Sequence, residues 1–461
     1  MKILHVPFCF APDPIGGTEV YVAALALNLQ KRGVEVVIAA PAATNRAYKI
    51  DGLRVRRFAT SEKVGDVAEL YDDGDPLAAE EFGRILDDEK PDVVHLHAFT
   101  RAVSLRTVLA CKSRRIRIVF TYHTPTVSCQ RGTLMLWGET PCDGKVDLRR
   151  CTACTLQGLG LPRTLAKVAG SLSPDFGQRL NAWGFGGGVW TVMRMSELLD
   201  LRFAAFREMA ENVDHFVAVC DWVRDVILAN DVSPTKVSVC RHGIDLSEAR
   251  ISESPGDTRA ISGEETRFAF VGRFDPTKGI HVLIDAFRAL PSLRMRLDIF
   301  GVAQSEADCA YERRLVALAA NDARIRFRGA LATLAVVERL RDYDFLFAPS
   351  QWMETGPLVV LEAFAAGVPV VGGRIGGIAE LVRDNVDGLL ITPSSRLAWR
   401  ETLRRVVEEA DLRIRLRAGV RPPRRSDEVA DEMLALYRSI VGVRHDGWPR
   451  VPAVGEISTI V

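Results

Sequence analysis

Residues 345–371 read FLFAPSQWMETGPLVVLEAFAAGVPVV. An apolar run, Phe345–Ala348, leads into a turn-rich loop, then a helical stretch over Leu358–Ala366, then a second apolar run, Val368–Val371. Two short strands joined through a helix call for a parallel βαβ crossover. Neither run alternates apolar with polar residues, so both faces of their sheet are covered. The same rhythm extends upstream as strand Arg267–Val271, helix Gly279–Leu290, strand Arg294–Phe300, helix Tyr311–Ala320 and strand Ile325–Phe327, and it ends downstream in a turn at Gly376–Gly377. It recurs near the start of the chain. There the pattern predicts strands Lys2–Val6, Val34–Ala40, Val93–Leu96, Ile116–Tyr122, His215–Val219 and Lys236–Cys240, with helices Glu19–Lys31, Arg101–Lys112 and Trp222–Ala229. The expected fold is α/β: two doubly wound parallel-sheet domains, each with its ligand face at the carboxyl ends of its strands, around a central cleft.

A chain of 461 residues and 50.8 kDa is about twice what one core supports. We expect an N-terminal domain over 1–245, a C-terminal domain over 246–426, a last helix over 427–441 and a loose tail over 442–461. Residues 251–266 are polar and turn-rich, as a linker would be. The rhythm fails between about 125 and 190, where Cys and Gly cluster, and an insertion is expected there. The glycines at 184 and 186–188 read as a flexible linker, because no strand precedes them as a phosphate loop requires.

Composition excludes several classes. Hydrophobic residues are 48% and charged residues 26%, which is globular composition. Sixty basic against fifty-nine acidic side chains leave +1, so no nucleic-acid partner is expected. No apolar run reaches the roughly eighteen residues of a membrane span. Met1–Val6 is followed at once by Pro7 and is too short for a signal peptide, so a cytoplasmic location with nine reduced thiols is the expectation.

The chemistry gathers at strand-to-helix turns. Gly16–Gly17–Thr18–Glu19 follows the first strand, and its glycines let a ligand approach the backbone closely. Gly272–Arg273–Phe274–Asp275–Pro276–Thr277–Lys278–Gly279 offers a guanidinium fork and a point charge for a diphosphate. Lys278 stands out because thirty Arg and only this one Lys follow Lys236. In the opening stretch, Glu354 lies in the loop and Glu362 in the second turn of the helix. Pro357 suits the first helical position, with the amides of Leu358 and Val359 free for an anion beside Gly356. His123 ends strand Ile116–Tyr122, at the ligand edge. His95 and His97 alternate, so at most one of them faces the cleft.

These residues together resemble glycosyltransferase family 4, retaining sugar-nucleotide enzymes of GT-B architecture. The resemblance runs from Lys2 to about Tyr437. It rests on Glu354 and Glu362 within Pro349–Ser350…Glu354…Gly356…Glu362–Ala363…Gly367–Val368–Pro369…Gly376–Gly377…Glu380, together with Gly272–Arg273…Lys278–Gly279, Gly16–Gly17 and His242–Gly243–Ile244–Asp245. It implies that Arg273 and Lys278 hold the donor diphosphate, helped by amides near Gly17 and Leu358. Glu362 would bind the ribose, Glu354 the transferred sugar, and His123 would sit over the reacting centre. No cofactor is implied, because cationic side chains and helix N-termini do the work of a metal. The partners implied are a nucleoside-diphosphate sugar and a glycan, lipid-linked or small acceptor in cell-surface polysaccharide or glycoconjugate synthesis. The family's last helix usually crosses back to the first domain, and Glu428–Ile440 is the counterpart here. Two positions depart from the family: His242 stands where Asn is usual, and Cys220 where Ser is frequent. A sugar-nucleotide epimerase and a catalytically silent scaffold are the other readings of such a chain.

Two further features invite readings of their own. Cys129, Cys142, Cys151 and Cys154 have spacing suited to a structural zinc, with Lys145, Arg149 and Arg150 lowering the thiol pKa values; free thiols are the alternative. Arg101, Arg106, Lys112, Arg114, Arg115 and Arg117 surround an apolar helix face, a pattern for peripheral contact with anionic membrane at the inner face, or for a merely solvated helix.

Overall fold

The computed structural model describes residues 1–13, 16–64, 67–71, 74–185, 187–245, 265–332 and 335–442. Nearly all of the expected linker and the tail from 443 onward lie outside them. The first half runs β1 (Lys2–Val6), α1 (Gly17–Lys31), β2 (Glu35–Ala42), β3 (Arg46–Ile50), β4 (Leu53–Ala59), α2 (Pro76–Glu89), β5 (Val93–Leu96), α3 (Leu105–Ser113) and β6 (Arg117–Tyr122). A small hairpin, β7 (Met135–Leu136) and β8 (Thr140–Pro141), precedes four helices: α4 (Leu148–Gly158), α5 (Arg163–Ala169), α6 (Pro174–Ala182) and α7 (Gly188–Asn212). The half closes with β9 (His215–Ala218), α8 (Asp221–Ala229) and β10 (Val237–Val239). Its eight strands form one sheet in the order β10-β9-β6-β5-β1-β2-β4-β3, antiparallel only between β3 and β4.

The second half runs β11 (Thr266–Arg273), α9 (Ile280–Arg288), β12 (Met295–Val302), α10 (Glu306–Ala319), β13 (Ile325–Phe327), α11 (Val336–Leu340), β14 (Phe345–Ala348), α12 (Leu358–Ala365), β15 (Val370–Gly373), α13 (Gly376–Leu381) and β16 (Gly388–Ile391). Helices α14 (Arg396–Glu408), α15 (Ala410–Gly419) and α16 (Ser426–Gly442) follow. Its sheet is all parallel, ordered β13-β12-β11-β14-β15-β16. Both sheets reverse their strand order beside the first strand of the half, β1 or β11. That reversal opens a crevice at the carboxyl ends.

Apolar strands such as Val93–Leu96 and Phe345–Ala348 are buried along their whole length, as non-alternating runs require. Helix α16 lies on the first half: Val429, Met433 and Tyr437 share a core with Leu25 and Leu29 of α1, and Arg32 pairs with Asp431 at 2.6 Å. The segment where the rhythm fails has a small core of its own, in which Leu156, Ala166, Met195, Leu199 and Phe203 meet.

Some expectations need correction. Strands β3 and β4 and helix α2 carry no continuous apolar run. In β4, Leu53, Val55 and Phe58 turn inward, while Arg54 and Arg56 reach out to Glu35, Asp88 and Glu89. The helix expected from Arg101 begins at Leu105, because the Arg101 guanidinium binds the Ser61 and Lys63 carbonyls and holds that loop down. Gly376–Gly377 opens α13 instead of ending a strand in a plain turn. Pro357 is the N-cap of α12, and Leu358 is its first helical residue.

Candidate active site

The loop between β14 and α12 carries the densest chemistry. Lys278, from the turn Pro276–Lys278 before α9, places Nζ 2.7 Å from Glu354 Oε1, and Ser350 Oγ donates to the same oxygen at 2.6 Å. Glu354 is buried, which alone would raise its pKa. The Lys278 charge and the hydrogen bonds from Lys278, Ser350 and Trp352 outweigh that and hold its carboxyl below the usual range. Gly279 has φ +72°, and a Cβ there would come within 1.9 Å of the Pro349 carbonyl oxygen, so only glycine lets the Lys278 turn pack on this loop. Cβ atoms on Gly376 or Gly377 would likewise collide with the backbone of Glu354 and Thr355. The Glu354 loop is gripped from both sides.

Around this pair stand groups with open valences. Arg273 is well exposed, and its nearest carboxylate, Asp275, is 4.0 Å away. Glu362, on α12, has no hydrogen-bond partner among the described residues. Burial pushes its carboxyl up to about 7, although the side chain keeps partial access to solvent. A carboxyl in that state accepts from a ligand hydroxyl once ionised. Helix α12 starts at Leu358 with no side-chain cap, and so does α1 at Gly17. The two starts face each other: a Cβ on Gly17 would lie 3.8 Å from Leu358 Cδ1. Glu19 Oε2 takes the Gly16 amide at 2.9 Å, and the other first-turn amides and the positive dipole ends of the two helices, from opposite halves, are offered to one anion.

The first half contributes a different surface. His123 is buried against Tyr21 and His242, with ring centroids 5.0 and 5.4 Å away, and its Nε2 lies 3.0 Å from His97 Nδ1. Burial lowers its pKa well below the usual value, so it is neutral. Its main-chain carbonyl accepts from Thr355 Oγ1 at 2.6 Å. Other contacts also cross the seam. Trp222 Nε1 donates to the Glu354 carbonyl at 3.0 Å, His242 Nδ1 to the Gly356 carbonyl at 3.1 Å, and the Met353 amide to the Thr133 carbonyl at 3.1 Å. Glu380 of α13 accepts from the amides of Asp221 and Trp222 at 2.9 Å each, and from Arg241 at 2.7 Å. A carboxylate of one half thus caps a helix of the other. Cys220, the N-cap of α8, makes no side-chain cap.

Comparison with known proteins decides the family. Residues 16–243 match the glycosyl transferase 4-like domain, and residues 257–421 match glycosyl transferases group 1. The chain belongs to glycosyltransferase family 4. Among characterised relatives, the D-inositol 3-phosphate glycosyltransferase of Mycobacterium tuberculosis is 29% identical over 257 residues, 52% of each protein. The match therefore spans about half the length of these curated relatives. The fold is that of sucrose-phosphate synthase from Thermosynechococcus elongatus, with TM-score 0.62 at 16% identity over 96% of this chain and 100% of that one. It is equally that of Anabaena HepE in complex with UDP and glucose, with TM-score 0.62 at 16% identity over 95% and 100%. The architecture is GT-B.

Within this chain, the residues singled out from sequence fall into two groups. Gly16, Gly17, Arg273, Lys278, Glu354, Gly356, Pro357, Leu358, Val359 and Glu362 lie on the facing loops and helix starts just described, and His123 adjoins them across the seam. Cys129, Cys142 and Cys151 are close enough to interact with one another, but no three of the four cysteines bring their sulfurs mutually within 4.8 Å. Cys129 and Cys142 pack against the first core and Cys151 against the insertion core, while Cys154 Sγ accepts from the Trp137 amide at 3.3 Å. Among the described residues, the one group of three or more ligand-type side chains within 4.8 Å is His5, His95 and His97. Of the cations expected to acidify these thiols, Arg150 does lower Cys142 and Cys151, but burial outweighs it. Burial raises Cys142 and pushes Cys151 up to about 11, and Arg150 is paired with Asp143 at 2.7 Å. In the basic stretch, Arg114 pairs with Asp87 at 2.7 Å and Arg117 with Asp214 at 3.1 Å, so much of its charge is matched locally. Among the described residues, no helix is long and apolar enough to cross a membrane. Asp75 of the Asp73–Gly74–Asp75 triplet caps α2 through the Leu77 and Ala78 amides; Asp73 lies outside the described residues.

Sequence reasoning passed over Ser350, His5, Trp222 and the capping role of Glu380. Ser350 and Glu380 were within reach, because both stand in the stretch that carried the family resemblance. His5 and Trp222 had no such flag.

Proposed function

We propose that this chain moves a sugar from a nucleoside-diphosphate sugar to an acceptor hydroxyl with retention of anomeric configuration. The observation that carries the reading is the Lys278–Glu354–Ser350 cluster beside Glu362, whose side chain has no partner among the described residues, set under two facing helix starts. The diphosphate would lie between Gly17 and Leu358, held by Arg273 and Lys278. Glu362 would accept from the ribose, and Glu354 would address the sugar. As the bond from C1 to the phosphate oxygen breaks, Lys278, Arg273 and the helix amides neutralise the charge that develops there, and no metal is needed. The acceptor oxygen bonds C1 from the same face, and its proton passes to the departing phosphate oxygen. UDP is the first nucleotide to try, because Anabaena HepE was solved with it. The acceptor is a glycan, a lipid-linked saccharide or a small polyol; the inositol phosphate named for the mycobacterial relative is the small-polyol case.

A thermal-shift screen of sugar nucleotides, followed by NMR of products formed on a set of acceptors, tests this. The expected result is stabilisation by one donor and a new glycoside with the donor's anomeric configuration. An epimerised sugar with no glycoside, or the absence of any binding, would overturn it.

A further inference from the structure

Strands β1, β5 and β6 lead to histidines that touch one another. His5, His97 and His123 are all buried. His5 Nδ1 lies 2.9 Å from His97 Nε2, and His97 Nδ1 lies 3.0 Å from His123 Nε2. His95 stacks beside His97 at 3.9 Å between centroids, and its own nitrogens are engaged by Tyr437 Oη and Thr121 Oγ1 at 2.6 Å each. The two outer atoms of the row, His5 Nε2 and His123 Nδ1, have no hydrogen-bond partner among the described residues.

Burial keeps all three rings neutral, His5 being pushed down to about 3 and the others well below the usual value. A neutral imidazole carries one N–H and one lone pair. His97 makes two ring hydrogen bonds, so it must donate in one and accept in the other. The row therefore points one way throughout. If every ring donates towards His5, an N–H is stranded on His5 Nε2, in the core. If every ring donates towards His123, the core end keeps a bare lone pair and the remaining N–H sits on His123 Nδ1. Buried N–H groups without an acceptor are the rarer defect. Only the His123 end adjoins a place where a ligand supplies one: its ring lies against His242, which reaches Gly356, and its carbonyl holds Thr355.

We propose that His5 and His97 are positioning residues that fix His123 as its Nδ1–H tautomer, making it a hydrogen-bond donor to an oxygen of the bound sugar or acceptor. At that atom His123 then has no lone pair with which to act as a base. The identity of the oxygen rests on the glycosyltransferase reading above; the tautomer does not.

Nitrogen NMR of the full-length, histidine-labelled protein without ligand reads the tautomer directly. His5, His97 and His123 should each show a protonated Nδ1 and a bare Nε2. His242 serves as reference, because a carbonyl fixes its Nδ1–H. A His123 protonated at Nε2 would overturn the proposal. So would a stoichiometric metal on His5, His95 and His97, whose ligand atoms lie within 4.8 Å of one another. Two variants then separate positioning from packing. His97→Asn keeps an N–H near the place of Nδ1, whereas His97→Gln moves its amide to the place of Nε2 and leaves His123 unconstrained. kcat should fall about tenfold in His97→Gln, the worth of one hydrogen bond, and no more than about threefold in His97→Asn, with nucleotide affinity unchanged in both. Equal losses with an unaltered His123 tautomer would mean packing alone and sink the idea. Should no sugar nucleotide bind, the functional reading falls, while the NMR result still decides the tautomer.

Discussion

On the first half a row of neutral, buried imidazoles runs from the core to the cleft, which only His123 adjoins, and on the second half stands permanent charge. His5, His95, His97 and His123 are all held uncharged by burial. Across the seam stand Arg273, Lys278 and an ionised Glu354. The halves share one topology, so the difference comes from the residues at the strand ends. Charge suits a diphosphate, whose own charge is high. Neutral donors and acceptors suit hydroxyl groups, which a buried charge would bind only at a large desolvation cost. Under the proposed function, the charged half is the nucleotide side and the imidazole half the sugar side.

The largest break in that contrast should come from Lys278→Ala. It removes the proposed diphosphate ligand and leaves Glu354 buried without its cation, a loss of about 3–5 kcal/mol for such pairs. kcat/KM should fall at least about 100-fold, and the melting temperature should drop. Adding Glu354→Gln should restore part of the stability and none of the activity. A Lys278→Ala enzyme that binds donor normally would show that the charge lies elsewhere.

Glu362 tests whether the nucleotide side needs a titratable group. Its folded pKa is raised from 4.5 to about 7, so the folded state holds a proton that the unfolded state releases. Its stabilising effect is full below about pH 4.5 and is lost as pH rises through about 7. Glu362→Gln should therefore be near neutral in stability at pH 4.5 and gain about 1–3 kcal/mol at pH 8, by denaturant unfolding. UDP affinity of the wild type should rise as pH increases through about 7, because the ionised carboxylate accepts from the ribose. The variant should lose that slope. A pH-independent affinity in the wild type would remove Glu362 from the nucleotide site.

The nucleotide side was largely legible in sequence because its chemistry is contiguous. Residues 273–279 and 349–362 each bring several functional groups to one turn, and their apolar flanks mark the strands. The sugar side was not. His5 lies on β1 and His97 and His123 just past the ends of β5 and β6, the first pair 92 positions apart, and only the parallel register of β5 between β1 and β6 joins them. The same limit applied to the fold. Phe345–Ala348 was delimited to the residue by its unbroken apolar run, and Val93–Leu96 by a run broken only at His95. The β3–β4 hairpin was missed because Arg57 interrupts its pattern, buried and bound to the Phe10 carbonyl and Asp13.

Glu380 joins the two halves instead of distinguishing them. Its carboxylate caps α8 where Cys220 does not, and pairs with Arg241. Glu380→Gln keeps one acceptor and loses the charge, at about 0.5–1.5 kcal/mol. kcat/KM should fall about three- to tenfold, with a more open particle by solution scattering. Cys220→Ser, which supplies a hydroxyl cap, should recover part of the loss; no recovery would mean that the Arg241 pair carries the effect.

The smallest effect is expected at His242, where the family usually has Asn. Its Nδ1–H donates to the Gly356 carbonyl, and its ring fills the space beside Gly356, where a Cβ would come within 2.7 Å of Nδ1. An Asn amide nitrogen occupies nearly the place of Nδ1, so His242→Asn keeps the contact across the seam and loses only ring packing on Tyr21 and His123. kcat/KM should change by less than about threefold, whereas His242→Ala, which removes the donor and leaves that carbonyl unpaired, should cost about 1–3 kcal/mol of the closed state. If the Asn variant is as impaired as the Ala variant, the seam depends on the stacked ring and not on the hydrogen bond. The neutral half would then reach across the cleft to the Gly356 turn, and the division between a sugar side and a nucleotide side would have to be redrawn there.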